Sequence, residues 1–159
     1  MTADAPSIQR IGAVEIDPVS LAPASPVQER ERQTAISDLL GANRFEPEGA
    51  DGGPYTVRLA LIEDRLALDI TGEGYARRHL LSLSPFRRIV RDYNDICSSY
   101  EAALRDAPPG RVEAIDMARR GLHNDGASLL VERLQGKAKT DLATARRLFT
   151  LLCALHWRG

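Results

Sequence analysis

Residues 55–84 read YTVRLALIEDRLALDITGEGYARRHLLSLS, and this stretch decides the fold class. Three runs of strand-forming residues, YTVRLALI, LALDIT and YARRHLLSLS, are separated by the hairpin-length connections EDR and GEG. They predict a three-stranded antiparallel meander. Period-two alternation puts Leu59, Leu61, Leu66, Leu68 and Ile70 on its packed face. From Ser84 the apolar spacing lengthens to 3.6 residues. Ser84 caps and Pro85 opens a helix whose stripe is Phe86, Ile89, Val90, Tyr93, Ile96, Cys97, Tyr100 and Leu104, ending near Asp106. A sheet followed by amphipathic helices is the signature of an α+β fold.

Upstream, Ile8 to Ile16 is short and β-branched and reads as an edge strand, followed by a proline-interrupted loop, Asp17 to Pro26. Ser25, Pro26 and Gln28 have the spacing of a capping box, so a helix starts there. It carries Val27, Ala35, Ile36, Leu39 and Leu40 inward and stops near Gly41 and Asn43, residues that tolerate left-handed backbone. The segment EPEGADGGP, Glu46 to Pro54, is a loop, because its glycine, proline and acid content cannot hold a helix or a central strand.

Downstream, PPG at 108–110 breaks the chain and a second long helix begins near Arg111, with Val112, Ile115, Ala118, Leu122, Leu129, Leu130 and Leu134 inward. Asp141 caps a last helix whose Leu148, Phe149, Leu151, Leu152, Cys153 and Leu155 are apolar nearly all round, which makes it central. The expected architecture is a small antiparallel sheet, the meander plus an N-terminal edge strand, packed on a bundle of three to four helices. It forms one domain over 1–159, with 1–7 and 46–54 flexible.

At 159 residues, 43% hydrophobic and 27% charged, the composition is that of a self-folding globular chain. Lys and Arg total 21 against 22 Asp and Glu, so no long-range positive field draws the chain to nucleic acid or to an anionic membrane. An aromatic content of 5% also argues against base-stacking surfaces. Cys97 and Cys153 sit in apolar helical patterns and read as buried thiols of a reducing compartment. The start of the chain lacks a basic segment followed by an apolar run, and no apolar stretch approaches the ~20 residues of a membrane span. The chain is therefore expected in the cytoplasm. Dinucleotide, P-loop, zincin, serine-hydrolase and kinase motifs are absent from the sequence, and no cofactor is expected.

Four arginine pairs stand out: Arg77–Arg78, Arg87–Arg88, Arg119–Arg120 and Arg146–Arg147. Arg87 and Arg88 fall in the first turn of a helix, where the dipole already disfavours cations, so an anion there would gain both guanidiniums and free N–H groups. The alternative is that Arg88 pairs with Asp92 and Arg91 with Asp95 on a solvated face. A second candidate is AIDMARRGLHNDGAS, residues 114–128. If one helix runs through, Asp116, Arg120 and His123 share a stripe with Arg119 at its edge, a set able to bind a phosphorylated ligand. Alternatively Gly121 ends one helix and Asn124-Asp125-Gly126 turns into the next, or the glycines admit another helix closely. Cys153 and His156 have a spacing that can hold a metal, but two ligands are not a site, and none is expected. The run LLCALHWRG more simply anchors the chain, with Trp157 buried and Arg158 near the helix C-terminus.

Three functional readings follow. The first is a non-enzymatic binding or regulatory protein that holds a small anionic or phosphorylated ligand with Arg87, Arg88, Arg119, Arg120, His123 and Asn124. The second is a small enzyme acting on a phosphorylated substrate, with His123 as acid or base oriented by Asp116 or Asp125. The third is a protein-interaction module, a homodimer using an exposed stripe of the helical half.

The words LLSLSPFRRIVRDY, AIDMARRGLHNDGAS and ARRLFTLLCALHWRG, with ANRFEPEG and GGPY, resemble a bacterial family of about this length known as uncharacterised protein family 0262. The resemblance runs from about Glu29 to Gly159. It implies kinship and agrees with a cytoplasmic protein, and it brings no activity, substrate or site residue with it.

Overall fold

The computed structural model describes residues 8–23 and 25–155. In chain order the elements are β1 (Ile11–Ile16), α1 (Pro26–Gly41), β2 (Phe45–Pro47), β3 (Tyr55–Ile62), β4 (Arg65–Gly72), β5 (Tyr75–Ser82), α2 (Arg87–Asp106), α3 (Pro109–Arg133), β6 (Ala138–Thr140) and α4 (Leu142–Ala154). The fold is α+β. The meander is present: β3 pairs with β4 and β4 with β5, all antiparallel. Its two turns use Glu63 and Gly74 at φ 58° and 69°, backbone that glycine adopts without strain. Val57, Leu59, Leu66, Leu68, Ile70 and Leu81 alternate onto the buried face. On the opposite face Glu15, Arg58, Asp69 and Arg78 form one cross-strand rung of alternating charge, and Arg78 meets Asp69 at 2.6 Å.

The N-terminal strand is an edge strand, and it runs parallel to β3, so the sheet is mixed, in the order β1-β3-β4-β5. Alternation carries no direction. What sets the direction is the long crossover through α1, which a parallel pair requires. The stretch read as loop begins with a strand: Phe45–Pro47 pairs antiparallel with β6, and Phe45 is buried against the Tyr55 ring. That pairing depends on residues far along the chain, which composition cannot report.

Helix ends follow local chemistry. The Ser25 hydroxyl accepts from Gln28 N at 3.2 Å and the Asp141 carboxylate from Thr144 N at 2.8 Å, each capping an orphan donor. Ser84 does not cap by its side chain. Residues Ser84–Phe86 tighten into a 3-10 turn, and α2 starts after them. At the end of α1 the Asn43 side chain replaces a left-handed cap. Its oxygen accepts from Ile11 N at 2.7 Å, and its amide donates to the Ile11 and Leu39 carbonyls at 3.0 Å, tying α1 to β1.

Helix α4 is central: Phe149, Leu151, Leu152, Cys153 and Leu155 are buried. α3 is one unbroken helix through Gly121 and Gly126. The aromatic ring of Phe149 lies against Gly126, so of the two readings the close-approach glycine holds there. Three expected inward residues are not inward. Leu104 and Ala118 are exposed, and so is Val27, which lies about 140° round the helix from Arg32. The inward stripe of α1 is Arg32, Ala35, Ile36 and Leu39. No described helix is long and apolar enough to cross a membrane. The expectations for residues 1–7, His156, Trp157 and Arg158 concern positions outside the described residues.

Candidate functional site

α2 and α3 pack as a hairpin of antiparallel helices with α4 across them, and three rings mark the junction. His123 lies 5.3 Å from Tyr93 and 5.7 Å from Phe149, and Tyr93 lies 5.6 Å from Phe149. The contact requires the bare backbone of Gly126, one turn beyond His123, because that is where Phe149 sits. The ring nitrogen Nε2 of His123 is 2.8 Å from Thr150 Oγ1, whose own proton goes to the Arg146 carbonyl at 3.1 Å. Burial depresses the His123 pKa first of all, and the guanidiniums of Arg146 and Arg119 depress it further, against the Arg146 carbonyl, which raises it.

Because α3 is continuous, Asp116, Arg119, Arg120 and His123 do share a stripe. One carboxylate serves both arginines: Asp116 Oδ1 meets Arg119 Nη2 at 2.6 Å, and Oδ2 meets Arg120 Nη2 at 3.0 Å. Arg119 also lies 4.9 Å over the Tyr100 ring, so it is held on two sides. The hydrogen bond to Asp116 raises the Arg119 pKa. Burial pushes the Tyr93 phenol up to about 12, with Cys97 adding to the shift and Arg119 opposing it. Arg120 remains 72% exposed. One turn on from Arg120, Asn124 Oδ1 accepts from Arg146 Nε at 2.9 Å, which brings a third guanidinium to the same face from α4.

The other sequence candidates lie elsewhere. Arg88 reaches Asp92 at 3.9 Å while 87% exposed, the solvated pairing that was its alternative. Arg87 is exposed. Both sit at the start of α2, about 18 Å along its axis from Tyr100 and the level of Arg119. Asp125 is exposed and about 200° round α3 from His123, so it does not orient the imidazole. Among the described residues, no three His, Cys, Asp or Glu side chains come together as a metal-binding group.

Sequence reasoning counted Arg146 as one of a pair without assigning it to the site, and it passed over Thr150 and Tyr93. Arg146 and Asn124 are 22 residues apart, so only the packing of α4 on α3 makes them neighbours. Tyr93 read as plain core, and its ring contact with His123 carries no local signal.

No solved structure matches the chain. Sequence relatives are plentiful. A protein of Caulobacter vibrioides is 64% identical over 159 residues, covering all of both chains. One from Phenylobacterium zucineum is 59% identical over 159 residues, again covering all of both. A third, from Nitrobacter hamburgensis, is 54% identical over 155 residues, 96% of this chain and 94% of its own. All three carry the name UPF0262 protein, and the model of the Uncharacterised protein family (UPF0262) matches residues 8–158. This chain belongs to the bacterial family UPF0262.

Proposed function

We propose that the protein is a cytoplasmic, non-enzymatic binding protein that takes a small phosphorylated or otherwise anionic ligand on the α3–α4 face, with Arg120, Arg146 and Asn124 in contact and Arg119 and His123 behind them. One observation carries this reading. The guanidiniums of Arg146 and Arg119 act on the half-buried imidazole of His123, Arg120 stands one turn before it on the same stripe, and Asp116 is the one carboxylate within 4.0 Å of any of the three arginines among the described residues. Such an excess of positive charge at a partly desolvated place favours an anion, and planar guanidiniums match phosphate oxygens two at a time. Arg87 and Arg88 form a separate pair and are left out of the site. Binding is favoured over acid–base catalysis because Asp116 is already engaged by two arginines and His123 Nε2 by Thr150. The free thiols of Cys97 and Cys153 agree with a reducing compartment.

The test is titration of the full chain with inorganic phosphate and pyrophosphate at low ionic strength, followed by calorimetry and backbone NMR. Saturable binding should shift the amides around His123 and Asn124. Arg120→Ala and Arg146→Ala should each weaken it about tenfold, and Asp116→Asn should tighten it by freeing both arginines. Absence of saturable millimolar binding, or binding indifferent to both arginine variants, would overturn the reading.

A further inference from the structure

The rung of charge on the outer face of the main sheet has an order of its own. Across β1, β3, β4 and β5 it runs Glu15, Arg58, Asp69, Arg78, or minus, plus, minus, plus. Taken from the other end, every sign is exchanged. The neighbouring rung is Ala13, Thr56, Thr71, Ala76, an order that is the same from both ends. On the other flank of the charges Ala60 pairs with Ala67, again small beside small. Glu15, Thr71, Ala76 and Arg78 are exposed, so the face is open to solvent at both edges.

These orders suit a two-fold axis. A second copy can lie face to face with the first, turned by half a revolution about a line parallel to the strands and midway between β3 and β4. Glu15 then faces the partner's Arg78, Arg58 faces the partner's Asp69, and the symmetry repeats both contacts. Thr56 faces the partner's Thr71, Ala13 the partner's Ala76, and Ala60 the partner's Ala67. Each arginine meets a shorter carboxylate and small residues flank the charges, so the sheets can approach to their usual spacing of about 10 Å, aligned within about 30°. Half a turn about a line along the rung would instead set Arg58 on Arg58 and Asp69 on Asp69, and like charges exclude it. The ion pairs of the single chain, Arg78 with Asp69 and Arg58 with Asp17, need not break.

Four strands about 4.8 Å apart, of up to eight residues at about 3.3 Å each, present roughly 500 Å², or about 1,000 Å² over two copies. That is the lower limit for a specific interface, and with charges at its centre it fits a weak, salt-sensitive association.

We propose that the protein forms a weak homodimer through the outer face of its four-stranded sheet, the charged rung of one copy lying against the reversed rung of the other. The inference is independent of the α3–α4 reading, since no residue of that face takes part. It puts the interface on the sheet and not on the helical half.

The experiment is sedimentation equilibrium of the full chain, from micromolar to submillimolar concentration, at low and at high salt. A monomer–dimer equilibrium should appear and weaken as salt is added. In a dimer, Glu15→Arg would set arginine against arginine and Arg78→Glu carboxylate against carboxylate, so each variant alone should associate at least about tenfold more weakly. An equimolar mixture of the two should recover the association, because the altered rung of each is the complement of the other's. Thr71→Arg, at an exposed position away from the charges, should also remove the dimer, and its thermal midpoint checks that it is folded. A chain monomeric throughout would overturn the proposal. So would a dimer indifferent to the charge reversals or to Thr71→Arg, or a mixture that fails to associate.

Discussion

The ring of Phe149 occupies the space that a side chain at Gly126 would need: a Cβ there would meet Cε1 and Cζ at 2.3 Å. Gly126→Ala should therefore destabilise the protein by about 1–3 kcal/mol, the usual cost of overpacking, even though alanine is worth about 1 kcal/mol more than glycine inside a helix. Gly121 lies in the same helix with nothing within 4 Å of its would-be Cβ. There the propensity gain is unopposed, and Gly121→Ala should stabilise by up to about 1 kcal/mol. Urea denaturation of both variants checks the pair, and a common sign would show that the Phe149 contact does not govern the α3–α4 approach.

Removing the buried guanidinium should be severe. Arg32→Met leaves the carbonyls of Leu21, Ala154 and Leu155 without these donors, at a cost of about 3 kcal/mol or more. Arg32→Lys should recover only part of this, since an ammonium is a single point and cannot span three acceptors as a planar fork does. Thermal and chemical denaturation midpoints rank the three proteins, and a wild-type midpoint for Arg32→Met would contradict the role assigned here.

Acid should weaken the fold through two imidazoles. His123 and His79 both have pKa values depressed below 6.5, burial being the largest cause for each. Well above 6.5 neither state is protonated and the contribution is constant. As pH falls below 6.5 the unfolded chain takes up protons first, so stability drops until the folded-state values are passed and then levels off. NMR titration of His123 should give a midpoint under 6.5, and His123→Gln should flatten the stability profile between pH 7 and 5. A midpoint at or above 6.5 would reverse the sign.

Neither thiol should react readily in the folded protein. Cys153 is buried, and burial pushes its thiol well above the ordinary range. Burial also raises Cys97, although the Tyr93 hydroxyl and Arg119 pull the other way. A thiol reagent at neutral pH should label both slowly, Cys97 first, and both at once after denaturation. Immediate labelling of native Cys153 would mean that the end of α4 opens easily.

Much of the fold was legible because it is written in local patterns. Alternation at 55–84 announced the meander, and the caps at Ser25 and Asp141 stand where their spacing put them. The near-uniform apolarity of 148–155 marked the central helix. What escaped depends on distant partners. The direction of β1, the pairing of Phe45–Pro47 with Ala138–Thr140 and the contact of Arg146 with Asn124 join segments whose own composition is silent about each other. Arg32 was hidden for a different reason. It occupies an inward position of α1, four residues before Ile36, and a charged residue there reads as surface until its carbonyl partners are known. At the candidate site the stripe Asp116, Arg120, His123 could be read from helical spacing. The spacing did not reveal that the carboxylate is spent on both arginines.

Because Leu148, Leu151 and Leu152 border the same small void as Leu59, Leu66 and Leu68, the leucine face of the meander is covered only in part, by Phe45, Leu130 and Leu134, until residues 142–154 arrive. Loop closure across the intervening hairpin of helices must come before that burial gives any return, a topology that slows folding. A chain halted after α3 would leave part of that leucine face bare to its neighbours, and self-association should be its first fate.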